Sequence, residues 1–600
     1  MKLMSPRPFA LPWGALLLVL FVATYIFAVI TPAFQAPDEF DHVRRAYMFG
    51  HGQILLQHMD GTPSGGRIDS GLELYMERMY PLVSAPSKRF TADEKSASAS
   101  IHWSGVSERV YPTGTAYYFP LLYLPHAVGL RAGEIMGWSV PASYHLARFL
   151  VLISALGLVA LGFRIYPPPP LVVALLSLPM SMFLLSSAVL DGVATAMMIV
   201  ALSSFMRILA DREASSTHIV MVLLVSVGLV VSCRTNTLPF LALPFAAWFQ
   251  TRRRRDLICA AVVAGLVLAW TAFTIKFTVY PEGPLKADHA GRLVEYLHHP
   301  GHFIELLSAT LTNRSALIFY AWSFVGILGW LTAAFTPAVY VTFGWLLVLL
   351  VAGTVSPKVL THQPAMRILL LLCAAGAILL TFLALLVQWV QPDPALISGI
   401  QGRYFMIPAL AVTYAIGARP GLMSGWRMRC GTLLVVVVMG VGIFNTAQLL
   451  VTRFYLSSPP FKQAHPLEGT HVQVSPQLST TQVIPIQFDA AQQASPQGLA
   501  VLSLDFATYQ RVNRGTATLR LWTSAGEVST FDVALDSLED NAYRAFVLDG
   551  KPYIAGEIVS RDGVGVSLWE ARAPDETAVS CMKYTPVEGT AVVTAGCPLP

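Results

Sequence analysis

Apolar runs of roughly 20 residues recur along this chain, each long enough to cross the hydrocarbon core of a bilayer as a helix. The first extends from about Leu11 to Ile30. Others lie near 117–137, 143–163, 170–187, 190–206, 217–233, 236–250, 257–278, 315–335, 337–355, 367–390, 403–418 and 431–453. A large soluble core would break such runs with amphipathic periodicity. Only 12% of the residues are charged and the mean hydropathy is +0.57, whereas soluble domains carry about 25% charged residues. Residues 1–456 are therefore expected to form an α-helical polytopic membrane domain with about eleven to thirteen hydrophobic segments.

The composition changes at about Ser457. Pro459 and Pro460 mark the exit, and short runs follow at Val483–Ile486, Leu499–Phe506, Ala517–Trp522, Phe531–Leu535 and Val564–Trp569, separated by Gly, Asp and Asn. Several short strands at this spacing predict an all-β sandwich or jelly roll over 457–600. This tail holds nine Lys and Arg against fifteen Asp and Glu, while the rest holds 31 against 20. Basic excess in the membrane half fits short cytoplasmic loops. No basic patch interleaved with aromatics lies outside the membrane half, so nucleic acid is not an expected partner. Cys233, Cys259, Cys373 and Cys430 lie in or beside apolar segments and read as buried thiols. Cys581 and Cys597 lie in the tail, where an oxidising compartment would allow a disulfide.

Orientation follows from the basic clusters. Lys2 and Arg7 precede the first run, which is long for a signal peptide and is expected to stay as a span with its N-terminus inside. Arg252 to Arg255 give the strongest cytoplasmic mark, with Arg207 and Arg212, then Arg419, Arg427 and Arg429, as weaker ones. The polar stretches 32–116 and 279–313 then become outer loops. Counting from the arginines also places Asp191, Arg234 and the tail outside. It works only if 117–137 and 315–335 are re-entrant or interfacial, which is tolerated where protein or a water cavity covers the backbone.

Three polar constellations could carry chemistry on that outer rim. The first is Pro37-Asp38-Glu39-Phe40-Asp41-His42 with Arg44 and Arg45, opening the longest outer loop. Carboxylates near desolvated surface can serve as bases; the alternative is a helix start favoured by the helix dipole. The second is Gln401-Gly402-Arg403-Tyr404-Phe405. Its arginine can grip a phosphate through paired hydrogen bonds, or Arg and Tyr can anchor the interface. The third is Asp191 with Arg234, charges of both signs at membrane depth. His298, His299 and His302 lack partners for a metal set, and no nucleotide-binding loop or nucleophile elbow occurs.

The chain resembles a bacterial family of multi-spanning membrane proteins known as domain of unknown function 2142, itself similar to the GT-C glycosyltransferases. The matching pieces are Pro37 to His42 with Arg45-Ala46-Tyr47, Tyr117-Tyr118-Phe119-Pro120-Leu121-Leu122-Tyr123-Leu124-Pro125, Gly329-Trp330-Leu331-Thr332 and Ile400 to Phe405. They span most of residues 30–420, and the tail lies outside the resemblance. The resemblance implies a transferase of the outer face that takes a sugar from a polyprenyl-phosphate carrier, with an acid of the first outer loop as base. Asp38 matches that place, with Glu39 as competitor. This chain has Phe40 and Asp41 where the family usually has a small residue or proline, so the choice within the acidic trio stays open.

The expectation is thus a glycosyltransferase of the bacterial cytoplasmic membrane that acts on a cell-envelope glycan or lipid acceptor. Asp38 or Glu39 would be catalytic. Asp41, His42, Arg45, Asp191, Arg234, Gln401, Arg403 and Tyr404 would bind substrate, and Tyr47 and Tyr117 could stack or pack. No resident cofactor is assigned, although a divalent cation is compatible with this chemistry. A transporter or flippase for lipid-linked glycans, or a polymerase or ligase component, would use the same charges differently.

Overall fold

The computed structural model describes residues 11–597 except 57, 59–62, 85–87, 113, 211–216, 279–288, 356–360, 362, 390–393, 395, 418–424, 457–470, 495, 510, 573–576, 588–591 and 595. Arg212, Arg419, Pro459, Pro460, the boundary at 456/457 and the start of the second outer loop lie outside the described residues. Among those described, seven helices are long and apolar enough to cross a membrane: Trp13–Ile30, Val140–Ile165, Leu190–Ala210, Arg254–Phe277, Pro337–Thr354, Pro364–Gln388 and Gly425–Phe454. The helix Thr217–Cys233 is apolar but slightly shorter. Large apolar side chains project outward from several of these helices. Leu266 is 66% exposed, Trp345 65% and Phe444 68%, a surface that suits lipid rather than water. The chain is an α-helical polytopic membrane protein. Cys430, expected to be buried, lies on such an outward face.

The remaining apolar segments are broken, each for a local reason. The 170–187 run forms two short helices, Pro170–Leu176 and Pro179–Leu185, because Pro179 forces Leu178 into extended backbone. Every residue of both pieces is buried. Ser181 donates its hydroxyl to the Leu175 carbonyl at 2.7 Å, so the interrupted backbone stays satisfied at depth. The 117–137 segment becomes a 3-10 turn, Pro120–Tyr123, and the helix Leu124–Ile135. Twelve residues reach only about 18 Å, short of a hydrocarbon core of about 30 Å. The 315–335 segment is the helix Arg314–Val325, stopped at Gly326 and followed by the small hairpin Ile327–Leu328 and Ala333–Ala334. Neither helix is long enough to cross the core by itself. The 236–250 run is likewise divided into Thr235–Leu241 and Ala242–Thr251, and the 403–418 run into Gly402–Phe405 and Met406–Ile416.

Close helix packing fixes the positions of these short pieces. Gly129 and Gly133, four residues apart on one helix face, press on Ala147 and Ser143; a Cβ on Gly129 would lie 2.3 Å from the Ala147 Cα. Small residues at this spacing let the two backbones approach without displacing side chains. At the end of the first helix, the buried Arg148 donates to the carbonyls of Ala28 and Thr31 at 3.1 and 2.9 Å. A cation there satisfies terminal carbonyls and complements the helix dipole.

The tail is a two-sheet antiparallel β structure. In the seven-stranded sheet, Leu499–Ala507 pairs with Ala542–Val547, Met582–Pro586 and the start of Ser567–Arg572. The four-stranded sheet runs in the order Ile484–Gln487, Tyr553–Ser560, Thr516–Thr523 and Val528–Ala534. Alternate residues of the two sheets, including Leu502, Leu504, Phe506, Leu519, Leu521 and Ile558, share one buried core, as expected of a sandwich. The run expected at Val564–Trp569 begins as a strand only at Ser567, after the turn containing Gly565. Strands at His471–Val474, Ala542–Val547 and Tyr553–Ser560 were not singled out by the sequence pattern.

Cys581 and Cys597 form a disulfide 16 residues apart. Closing a loop of that size in the unfolded chain is worth about 3 kcal/mol. Cys597→Ser is therefore expected to lower the thermal midpoint of the tail, read as earlier proteolysis of the β region on heating. An unchanged midpoint would contradict this.

Candidate functional site

The segment between the first helix and the helix Glu39–Gly50 is held in an irregular shape by groups far away in sequence. Phe34 and Asp38 both adopt left-handed backbone, with φ of 62° and 64°, which Asp tolerates better than most residues. The Phe34 amide donates to the Tyr144 hydroxyl at 3.2 Å, and Trp330 donates its indole N–H to the Phe34 carbonyl at 3.1 Å. The Phe34 ring packs against Phe40, Tyr75 and Tyr144. Glu39 completes the fastening. It is fully buried and accepts from the Tyr144 hydroxyl at 2.7 Å, the Ala188 amide at 2.6 Å and the Ala36 amide at 3.0 Å. Ala188 lies just before the helix that carries Asp191, so one carboxylate joins the acidic loop to that helix.

Asp38 faces the opposite way and meets Arg403. The two form an ion pair in which the Arg403 side chain is 1% exposed and that of Asp38 is 53% exposed. Asp38 is thus open on one side, with the buried arginine on the other. The Arg403 Nη1 donates to the Pro37 carbonyl at 3.3 Å, and its guanidinium lies 5.2 Å from the Tyr404 ring centroid. Its position is set by Gly402, whose amide donates to Ser323 Oγ at 2.8 Å. A Cβ on Gly402 would lie 2.0 Å from the Phe324 nitrogen, so only glycine allows this turn to sit against the helix Arg314–Val325.

A second ion pair completes the site. Arg234 Nη2 lies 2.7 Å from Asp191 Oδ1, and both side chains are largely buried. The Arg234 guanidinium also lies 5.4 Å from the Tyr118 ring centroid. Asp191, Arg234, Asn236, Arg403 and Tyr404 line one small cavity of about 30 Å³. Among the described residues, Arg403 Nε, Asp191 Oδ2 and the Gln401 side-chain oxygen are buried without a hydrogen-bond partner. Unsatisfied polar atoms of this kind are uncommon in folded interiors and mark places where a ligand or water belongs.

The other expected residues are distributed around this centre. His42 is buried against the Tyr123 hydroxyl at 2.7 Å, and burial depresses its pKa to about 4, leaving it neutral at pH 7. Asp41 lies 3.3 Å from Arg44 with its side chain 29% exposed, and burial lifts its carboxyl to about 6 against the pull of that arginine. At Asp38, burial raises the pKa most strongly, but the charge and hydrogen bond of Arg403 together with His42 outweigh it, so the net shift is downward. Arg45 is not brought to the cavity; it donates to the carbonyls of Gln53 and Ile54 at 3.0 and 2.7 Å. Gln401 caps the turn that carries Arg403. Tyr117 packs edge-on against Tyr118, and Tyr47 packs against His51 and Trp103. Tyr118, Tyr144, Trp330 and Ser323 were not singled out as site residues, although Tyr118 and Trp330 lie within the motifs that carried the family resemblance.

No cluster of three or more His, Cys, Asp or Glu suited to a metal occurs among the described residues. Asp38 and Asp191 each face an arginine instead. Carboxylates paired in this way do not fit a divalent cation.

The raised Asp41 pKa has a defined effect on stability. Its ionised form is disfavoured in the folded state, so the penalty is absent below the unfolded value near 4 and grows as pH rises through about 6. Asp41→Asn is expected to raise the unfolding midpoint in detergent at pH 8 and to leave it unchanged near pH 4. Equal shifts at both pH values would overturn this.

Comparison with known proteins places the chain among membrane proteins. No curated protein matches it. A solved structure, ArnT from Cupriavidus metallidurans bound to undecaprenyl phosphate, is similar at 14% identity and a TM-score of 0.27, over 73% of this chain and 78% of that one. Residues 20–412 match the model of a family described as predicted membrane proteins, and the chain belongs to that family, DUF2142.

Proposed function

We propose that this protein is a GT-C-type glycosyltransferase that moves a sugar from a polyprenyl-phosphate donor to a cell-envelope glycan or lipid acceptor at the outer face of the bacterial cytoplasmic membrane. The observation that carries this reading is the meeting of Asp38 with Arg403, and of Asp191 with Arg234, around one cavity. An open carboxylate stands beside two buried guanidinium groups, a base next to a phosphate clamp. An apolar groove of about 490 Å³ beside it, lined by Tyr320, Trp322, Phe324, Tyr340 and Phe405, suits a prenyl chain whose phosphate reaches Arg403 two residues away.

In this mechanism the acceptor hydroxyl approaches the open side of Asp38 and its oxygen attacks the anomeric carbon. Asp38 takes the hydroxyl proton. The bond from carbon to phosphate oxygen breaks, and the electron pair leaves on the phosphate. Arg403 and Arg234 stabilise the charge that gathers there. Glu39 acts through structure, because its oxygens are already committed to three donors. Asp191 and Tyr404 hold the two arginines, and His42 supplies an uncharged wall. The N-terminus is assigned to the cytoplasm and the β tail to the outside, where the Cys581–Cys597 disulfide would persist and the tail could hold a growing glycan.

Membranes supplied with a labelled prenyl-phosphate sugar test the reading. Asp38→Asn is expected to lower transfer by about 100-fold or more with folding intact. Glu39→Gln should lower the thermal midpoint as well as the rate. Arg403→Ala should mainly raise the donor requirement. If the labelled lipid crosses the membrane without chemical change, the protein is a transporter and the enzyme reading fails.

A further inference from the structure

The way Asp38 holds Arg403 leaves the proposed base in its least basic arrangement. The Arg403 guanidinium offers a fork of two parallel N–H groups, on Nε and Nη2, the edge that grips a phosphate or carboxylate through two bonds. Here only one tooth is used. Nη2 donates to Asp38 and approaches the Tyr404 hydroxyl at 3.5 Å, whereas Nε is buried with no partner among the described residues. Nη1 is held separately by the Pro37 carbonyl. Asp38 is thus a one-point occupant of a two-point site. It is attached from a strained left-handed backbone, with a side chain half exposed.

We propose that the donor's phosphate displaces Asp38 from Arg403, so that the carboxylate is released to act as base only after the donor is seated. This rests on the reading above, in which Arg403 is the phosphate clamp. The charge balance supports the exchange. In the resting site, two carboxylates face two guanidinium groups and the formal charge is zero. A phosphodiester donor adds one negative charge and can occupy both teeth of the fork. Asp38, left without its cation, then becomes a stronger proton acceptor beside the incoming hydroxyl.

Transfer conserves the charge of the site. The acceptor oxygen bonds to the anomeric carbon, its proton passes to Asp38, and the carbon–oxygen bond to phosphate breaks with its electrons left on phosphate. Phosphate gains one negative charge as Asp38 loses one. A neutral Asp38 does not compete for Arg403, so the prenyl phosphate stays held until Asp38 gives its proton to water. The restored carboxylate then reclaims Nη2 and weakens the grip on the product. The same pair therefore orders donor before acceptor and drives product release.

The test is the affinity of the full-length protein in nanodiscs for undecaprenyl phosphate, a ligand that cannot react. Removing the competing carboxylate in Asp38→Asn should tighten binding by about tenfold while transfer is lost. Asp38→Ala serves the same purpose if Asn is not tolerated. Arg403→Ala should abolish binding, and Arg403→Lys, which keeps the charge without the fork, should weaken it. Unchanged or weaker binding in both Asp38 variants, with binding still lost in Arg403→Ala, overturns the exchange and leaves the transferase reading standing. Wild-type affinity in Arg403→Ala would remove the phosphate clamp, and with it both readings.

Discussion

A single buried carboxylate, that of Glu39, fixes the relation between the acidic loop and the rest of the membrane domain. Burying an ionised group is costly unless each lone pair finds a donor. Here the donors come from Ala36 in its own loop, Tyr144 on the second long helix and Ala188 before the third. Satisfying Glu39 in this way holds those three pieces together. The chain between Ile30 and Glu39 is then obliged to adopt left-handed backbone at Phe34 and Asp38. Trp330 fastens the same loop from the small hairpin after the helix Arg314–Val325. Asp38 faces outward because its neighbour in sequence faces the interior.

The charged groups of the site come from places where regular helices are interrupted. Arg403 rides on a single 3-10 turn, Arg234 follows the last residue of a helix, and Asp191 lies in the first turn of one. Regular helices satisfy their own backbone and offer only side chains to a ligand. Interruptions bring backbone ends and short turns to membrane depth, which is tolerated only where protein covers them. The cavity is where several such ends meet, and its aromatic border of Tyr118 and Tyr404 gives the guanidinium groups a partly desolvated setting.

The β tail follows different physics. Alternating residues from two antiparallel sheets fill one core, and a disulfide closes the C-terminal strands. Its strong strands were legible because apolar residues alternate with others from Leu502 to Phe506 and from Ala517 to Leu521. Ala542–Val547 was not, since its exposed positions carry mixed residues and its pairing with the central strand is non-local.

The sequence alone determined the membrane class and the residue types able to carry charge in the site. Run length and composition are local quantities, and a bilayer reads them directly. It could not decide which acid faces outward, because Asp38 and Glu39 are adjacent and of the same chemistry. Nor could it pair Asp38 with Arg403, 365 residues apart, or turn Arg45 away toward Gln53 and Ile54. Those outcomes depend on where the interrupted helices pack, and packing is a property of surfaces brought together from the whole chain.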